Sequence, residues 1–196
     1  IALLYESDKT VDGLEDRCNL ALTNFAVTNL SKFLQCQLSE MPFPQKINPQ
    51  KANAIIGFNT FGSLIWSKDK SSFADLPILF IGGTFDLITP LIGEQFNVFL
   101  SANNPLNRFL IIEGASHFSP IRINNDKENN DIFKIREPFI GSNPISVQNL
   151  SLSIAVEFMN KIMEKESLEV STNQKELNLD FHILDKKSLN EILKDQ

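Results

Sequence analysis

The sequence predicts an α/β fold, a mainly parallel sheet flanked by helices. Two observations predict it. The runs "ANAIIGFN" (52–59), "LPILFIGG" (76–83) and "NRFLIIEG" (107–114) are short, apolar and not strictly alternating, the pattern of strands covered on both faces. Helical patterns stand between the second and third runs and after the third, and parallel neighbours need such long crossovers.

Taken in order, residues 14–38 carry Leu20, Leu22, Phe25, Val27, Leu30, Phe33 and Leu34 at spacings nearer three or four than two, which predicts one or two helices. "MPFPQKINPQ" (41–50) holds three prolines in ten positions and reads as a surface connection. Pro77 opens the second strand, where a missing donor does little harm. "PLIGEQFNVFLSA" (90–102) reads as a helix with Leu91, Ile92, Phe96, Phe99 and Leu100 inward, which leaves Glu94 and Gln95 for solvent or capping. "NNDKENND" (124–131) is a polar loop. In residues 147–166, Leu150, Ile154, Phe158 and Ile162 recur every four positions, the firmest helix in the chain.

Residues 1–166 are therefore read as one domain portion, and 167–196 as a polar tail with a short helix near 187–194. Three strands alone would leave exposed edges, so the sheet is expected to be incomplete.

The composition narrows the partners. Among 196 residues, 24 acidic against 18 basic side chains give a net charge of −6, with no basic stripe to neutralise phosphates. A small-molecule partner is expected, and no nucleic acid. No run reaches the roughly 18–20 apolar residues of a membrane span. The chain begins with Ile1 and not Met, so a preceding segment is expected and compartment cannot be read. Cys18 and Cys36 leave two readings open: small apolar residues on helices, or a disulfide. Two cysteines alone cannot build a four-ligand zinc site, and no metal or cofactor is implied.

Two positions carry chemistry. Asp86, in "GGTFDLITP" (82–90), and His117, in "EGASHFSP" (113–120), each follow an apolar run by a few residues. Functional groups of parallel sheets gather outside the carboxyl ends of the strands. If the two strands are neighbours, carboxylate and imidazole share one rim, as in a pair where the acid orients a general base. Taken singly, each has a plainer reading: Asp86 as a cap for the following helix and His117 as a solvated loop residue. Glu113 is a weaker competitor for the imidazole, and His182 is read as a tail residue.

The order acid then histidine resembles the α/β-hydrolase superfamily, with "LPILFIGGTFDLITP" similar to its acid-bearing strand and loop and "NRFLIIEGASHFSP" similar to its histidine loop. At closer range "ITPLIGEQ" (88–95), "HFS" (117–119) and "NLSKFLQC" (29–36) resemble a bacterial branch related to dienelactone hydrolases and platelet-activating-factor acetylhydrolases. The resemblance covers roughly residues 1–165. It implies the C-terminal part of an α/β-hydrolase fold, with Asp86 as triad acid and His117 as general base. No G-x-S-x-G elbow occurs in the chain. The resemblance thus places the N-terminal strands and the serine upstream of Ile1, and the oxyanion hole with them. It implies a serine esterase acting on a small-molecule ester, the fragment by itself being inactive. Ser63 and Cys36 are considered as internal nucleophiles and set aside, because neither has elbow spacing. The alternative is a non-catalytic binding module of the same fold, or a truncated product.

Overall fold

The computed structural model describes residues 13–23, 30–37, 53–65, 76–120, 141, 144–164 and 178–194. The proline-rich connection at 41–50, the polar loop at 124–131, Phe25 and Val27 lie outside them.

The fold is mixed α/β. Helix α1 (Leu14–Thr23) starts after Gly13, whose carbonyl accepts the first helical hydrogen bond from Arg17. Glu15 and Asp16 in its first turn complement the positive end of the helix dipole. Helix α2 (Leu30–Gln37) buries Ser31, Gln35 and Cys36, while Leu30, Phe33 and Leu34 are exposed. The side chains that pack inward from α2 are mostly polar, the reverse of what apolar spacing alone suggests. The two helices are joined by a Cys18–Cys36 disulfide, which decides between the two cysteine readings.

Strands β1 (Ile55–Phe58), β2 (Ile78–Gly83) and β3 (Arg108–Ile112) are parallel neighbours in that order. β2 is buried along its whole length, as its unbroken apolar run requires of a central strand. Its alternate residues feed two cores. Ile78, Phe80 and their β3 counterparts Phe109 and Ile111 face α1, α2 and helix α3 (Phe96–Ser101), where the rings of Phe80, Phe96, Phe99 and Phe109 meet at centroid distances of 5.3–6.0 Å. Leu79, Ile81, Leu110 and Ile112 face helix α4 (Pro144–Glu164).

Helix α4 opens on Pro144, whose fixed φ and missing donor suit a first turn. Val147, Leu150, Ile154 and Phe158 on its inner face have no solvent exposure. Burying each stabilises the fold by roughly 1.5–3 kcal/mol. The four-residue period predicted this face, and Ile162 packs at its margin.

The short helix expected near 187–194 is present, but the segment before it is not a tail: it carries a strand. Strand β4 (Phe181–Leu184) pairs antiparallel with β3, making four strands in the sheet among the described residues, and helix α5 (Lys186–Lys194) follows it. The reason is that β3 would otherwise present an open edge, and Leu179, Phe181 and Leu189 have core to fill. Four residues in a polar setting give too little periodicity to stand out. Asp185 caps α5 by accepting from the Ser188 backbone N–H at 2.7 Å and its hydroxyl at 2.9 Å. The Ser188 N–H and hydroxyl, aided by the Arg108 charge, hold the Asp185 carboxyl below the usual carboxylate range.

One further difference falls beside the candidate site. Residues 91–102 do not form one uniform helix, because Leu91–Gln95 is a π-helical turn leading into α3. Gln95 N–H reaches the Pro90 carbonyl at 3.4 Å and Phe96 N–H reaches Leu91. This wider turn shifts the phase of the face. Ile92, expected inward, is exposed, while Glu94 and Gln95, expected outward, are fully buried. Such turns recur at functional sites.

Among the described residues no helix is long and apolar enough to cross a membrane.

Candidate active site

The acid loop leaves β2 after Gly82 and Gly83, and the histidine loop leaves β3 after Ile112. Parallel pairing aligns Gly83 with Ile112, so both loops emerge at the same rim. They are then sewn together by Thr84 N–H to the Ile112 carbonyl at 3.1 Å, Phe85 N–H to the Ala115 carbonyl at 2.9 Å, and Gly114 N–H to the Thr84 hydroxyl at 2.8 Å. Gly83 is required by this closeness, since a Cβ there would lie 2.0 Å from the Ala115 carbonyl oxygen. Gly114 turns the chain at φ +71°, a conformation other residues seldom adopt.

Asp86 and His117 meet at this rim. His117 Nδ1 lies 3.1 Å from Asp86 Oδ1 and 3.0 Å from Oδ2. The Asp86 side chain is fully buried and that of His117 is 23% exposed, so one ring edge faces the acid and the rest reaches outward. Asp86 also performs the local role that its turn suggested. Its Oδ1 accepts Ile88 N–H at 3.0 Å and Thr89 N–H at 2.7 Å, an Asx-type cap. Its Oδ2 accepts the Thr89 hydroxyl at 2.7 Å and Gln95 Nε2 at 3.3 Å.

These contacts fix the proton arrangement. Thr89 Oγ1 is 3.2 Å from His117 Nδ1, but its single proton is best directed at the carboxylate 2.7 Å away. In the neutral ring, Nδ1 is therefore the nitrogen that carries the proton facing Asp86, and the lone pair lies on Nε2.

Neighbouring residues hold both partners. Asn59, beyond β1, donates from Nδ2 to the His117 carbonyl at 2.7 Å, and its own carbonyl lies 3.1 Å from the Thr89 hydroxyl oxygen, the longer of the two contacts open to that one proton. Asn59 adopts φ +44°. The histidine loop is braced by Ser119 Oγ on Ser116 N–H at 2.9 Å, and Gln148 of α4 donates to the Ser119 carbonyl at 3.3 Å. The Phe118 ring stands edge-on to the imidazole at 5.5 Å and is partly exposed.

The other considered residues lie elsewhere. Ser63 donates its hydroxyl to Glu94 at 2.8 Å, and Cys36 is disulfide-bonded and has no free thiol. Glu113 does not hold His117: its carboxylate meets His182 Nε2 at 3.1 Å, on the exposed outer part of β3–β4. Among the described residues no group of three potential metal ligands occurs.

The residues that sequence reading missed are Thr89, Asn59, Glu94 and Gln95. A signal was present in the paired glycines at the end of "ILFIGG", because a Cβ on Gly82 would meet Gln95 Oε1 at 2.1 Å. Paired glycines at a strand end mark close approach by something, although not by what.

No protein-family model and no curated protein matches the chain.

Proposed function

We propose that this chain is the C-terminal part of a serine hydrolase of α/β-hydrolase type that cleaves a carboxylic ester, with Asp86 as triad acid and His117 as general base. The observation that carries the reading is the two-oxygen contact of Asp86 with His117 Nδ1 at 3.0–3.1 Å, on the carboxyl-end rim of two adjacent parallel strands. A carboxylate that only capped its loop would have no need of the ring, and a solvated histidine would not present Nδ1 to a buried acid.

The chemistry follows from the proton arrangement. His117 Nε2 takes the proton of an attacking serine hydroxyl and returns it to the leaving alcohol; it then takes a proton from the water that attacks the acyl-enzyme and returns it to the serine oxygen as the acid is released. Asp86 keeps Nδ1 protonated and stabilises the imidazolium formed at each step. The Thr89 hydroxyl, two loop N–H groups and Gln95 hold that carboxylate in place without supplying a counter-charge. The serine, on a G-x-S-x-G elbow, and its oxyanion donors belong on a segment preceding Ile1.

The test is made on the protein translated from the whole reading frame, with a short p-nitrophenyl ester and a fluorophosphonate probe. Probe capture on a serine ahead of Ile1, with His117→Ala hydrolysing at background rate, supports the assignment. Asp86→Asn should lower turnover by about 10⁴, the scale seen when a triad acid is neutralised. Undiminished hydrolysis by His117→Ala removes the general base. A reading frame with no such serine leaves the binding-module alternative.

A further inference from the structure

Glu94 is a fully buried carboxylate that the proposed chemistry does not use. Its Oε1 accepts the Ser31 hydroxyl at 2.6 Å and the Ser63 hydroxyl at 2.8 Å. Its Oε2 accepts Gln35 Nε2 at 2.9 Å, Ser63 N–H at 3.0 Å and Gly62 N–H at 3.2 Å. These donors come from α2 and from the loop beyond β1, while Glu94 itself belongs to the π-helical turn after the acid loop. All of them are neutral. A charge is expensive to bury, and among the described residues these hydrogen bonds are what offsets the cost.

Two routes lead from this carboxylate to the catalytic pair. The first is covalent: Gln95, the next residue, turns the other way and donates to Asp86 Oδ2 at 3.3 Å and to the Thr89 carbonyl at 2.7 Å. The second runs through the loop that Glu94 grips at Gly62 and Ser63. Three residues earlier that loop carries Asn59, which holds the His117 carbonyl at 2.7 Å and whose own carbonyl lies 3.1 Å from the Thr89 hydroxyl oxygen. One side chain thus ties down both the support under the acid and the support under the base.

We propose that Glu94 is a positioning residue for the Asp86–His117 pair, acting through its accepting geometry and not through its charge. The proposal rests on the hydrolase reading for its catalytic meaning, but its structural content can be tested without turnover.

The two oxygens are not equivalent, and this gives the test. The donors on Oε2 are amide groups that cannot accept. The donors on Oε1 are hydroxyls that can rotate and accept instead. A glutamine at this position can therefore place its carbonyl at the Oε2 site and its amide at the Oε1 site with the network re-paired, whereas alanine removes both acceptors.

The experiment is proton–nitrogen NMR of the imidazole groups in the ¹⁵N-labelled chain. The sequence has two histidines, so His182 on β4 serves as the fold control. Wild type should show a hydrogen-bonded Nδ1 proton for His117, assigned by its loss in His117→Ala. Glu94→Gln should keep that resonance, and Glu94→Ala should lose it while the His182 signals stay in place. Retention in Glu94→Ala overturns the proposal. Loss in Glu94→Gln as complete as in Glu94→Ala also overturns it, because charge would then be the requirement. If Glu94→Ala unfolds, shown by displacement of the His182 signals, Gln95→Ala carries the test. That variant leaves the Glu94 side-chain contacts in place and cuts the links to Asp86 and to the Thr89 carbonyl through which the first route runs. A shifted or faster-exchanging His117 resonance supports the proposal, and an unmoved one overturns it. In the whole protein, Glu94→Gln should hydrolyse ester within about threefold of wild type and Glu94→Ala at least about tenfold more slowly. A wild type with no turnover would instead count against the hydrolase reading and leave the NMR result standing.

Discussion

Gly83→Ala is the sharpest probe of the shared rim. The added methyl group would stand 2.0 Å from the Ala115 carbonyl oxygen, 2.5 Å from its carbonyl carbon and 2.8 Å from its Cβ. Two of these three atoms are backbone, so no side-chain rotation relieves the overlap. Against an ordinary contact of 3.4 Å, the histidine loop must retreat from β2 by about 1.4 Å. That retreat breaks the 2.9 Å bond from Phe85 N–H to the Ala115 carbonyl, which costs about 1 kcal/mol. Overpacking adds roughly 1–3 kcal/mol. The sum, about 2–4 kcal/mol, should lower the urea midpoint by roughly 1–2 M if the slope is near 2 kcal/mol per M. It should also draw His117 away from Asp86, and a misplacement of about 1 Å costs on the order of 10²-fold in rate. Gly93→Ala is the control, since a Cβ there meets nothing within 4 Å. It removes a glycine from the same region without a clash and should be neutral or stabilising by up to about 1 kcal/mol. A Gly83→Ala midpoint as high as that of Gly93→Ala would refute the argument that the acid and histidine loops are held in contact at this point.

Two further outcomes test the frame around the site. Replacing Cys18 and Cys36 together by Ala opens a link across 18 positions, and the loop-entropy estimate gives about 3 kcal/mol of lost stability, measurable as a lower denaturation midpoint. A double variant as stable as wild type would show that packing of α1 against α2 suffices. Asp185→Ala removes the α5 cap and should cost about 1 kcal/mol at neutral pH. Because the folded carboxyl titrates below its unfolded value, that contribution is complete above the unfolded pKa of about 3.9 and disappears as pH falls through the lower folded value. Wild type and variant should therefore converge in stability in strong acid, and a constant gap at every pH would contradict the capping role.

That β1, β2 and β3 are strands of a mainly parallel sheet was legible because each run is apolar enough to require cover on both faces, while their order came from the structure. Asp86 and His117 were legible for a related reason: adjacent parallel strands bring the loops that follow them to one edge. The reading reached less far where polar residues go inside. Ser31, Gln35, Glu94 and Gln95 look like surface residues because nothing near them in sequence tells of their partners. Ser31 and Gln35 meet Glu94 across 63 and 59 positions. The π-helical turn compounds this by rotating Ile92 outward and the two polar side chains inward, against the 3.6-residue period from which the helix was read.

By itself, the sequence determined the α/β class, the long face of α4 and the rim at which a carboxylate and an imidazole would meet. These follow from local periodicity and from the direction in which strands deliver their ends. Only the tertiary structure decided that β4 closes the sheet antiparallel, that Cys18 and Cys36 are bonded, and that a buried network around Glu94 underlies the pair. An apolar residue carries its own reason to be buried, whereas a polar one is buried only where distant parts of the chain complete its hydrogen bonds.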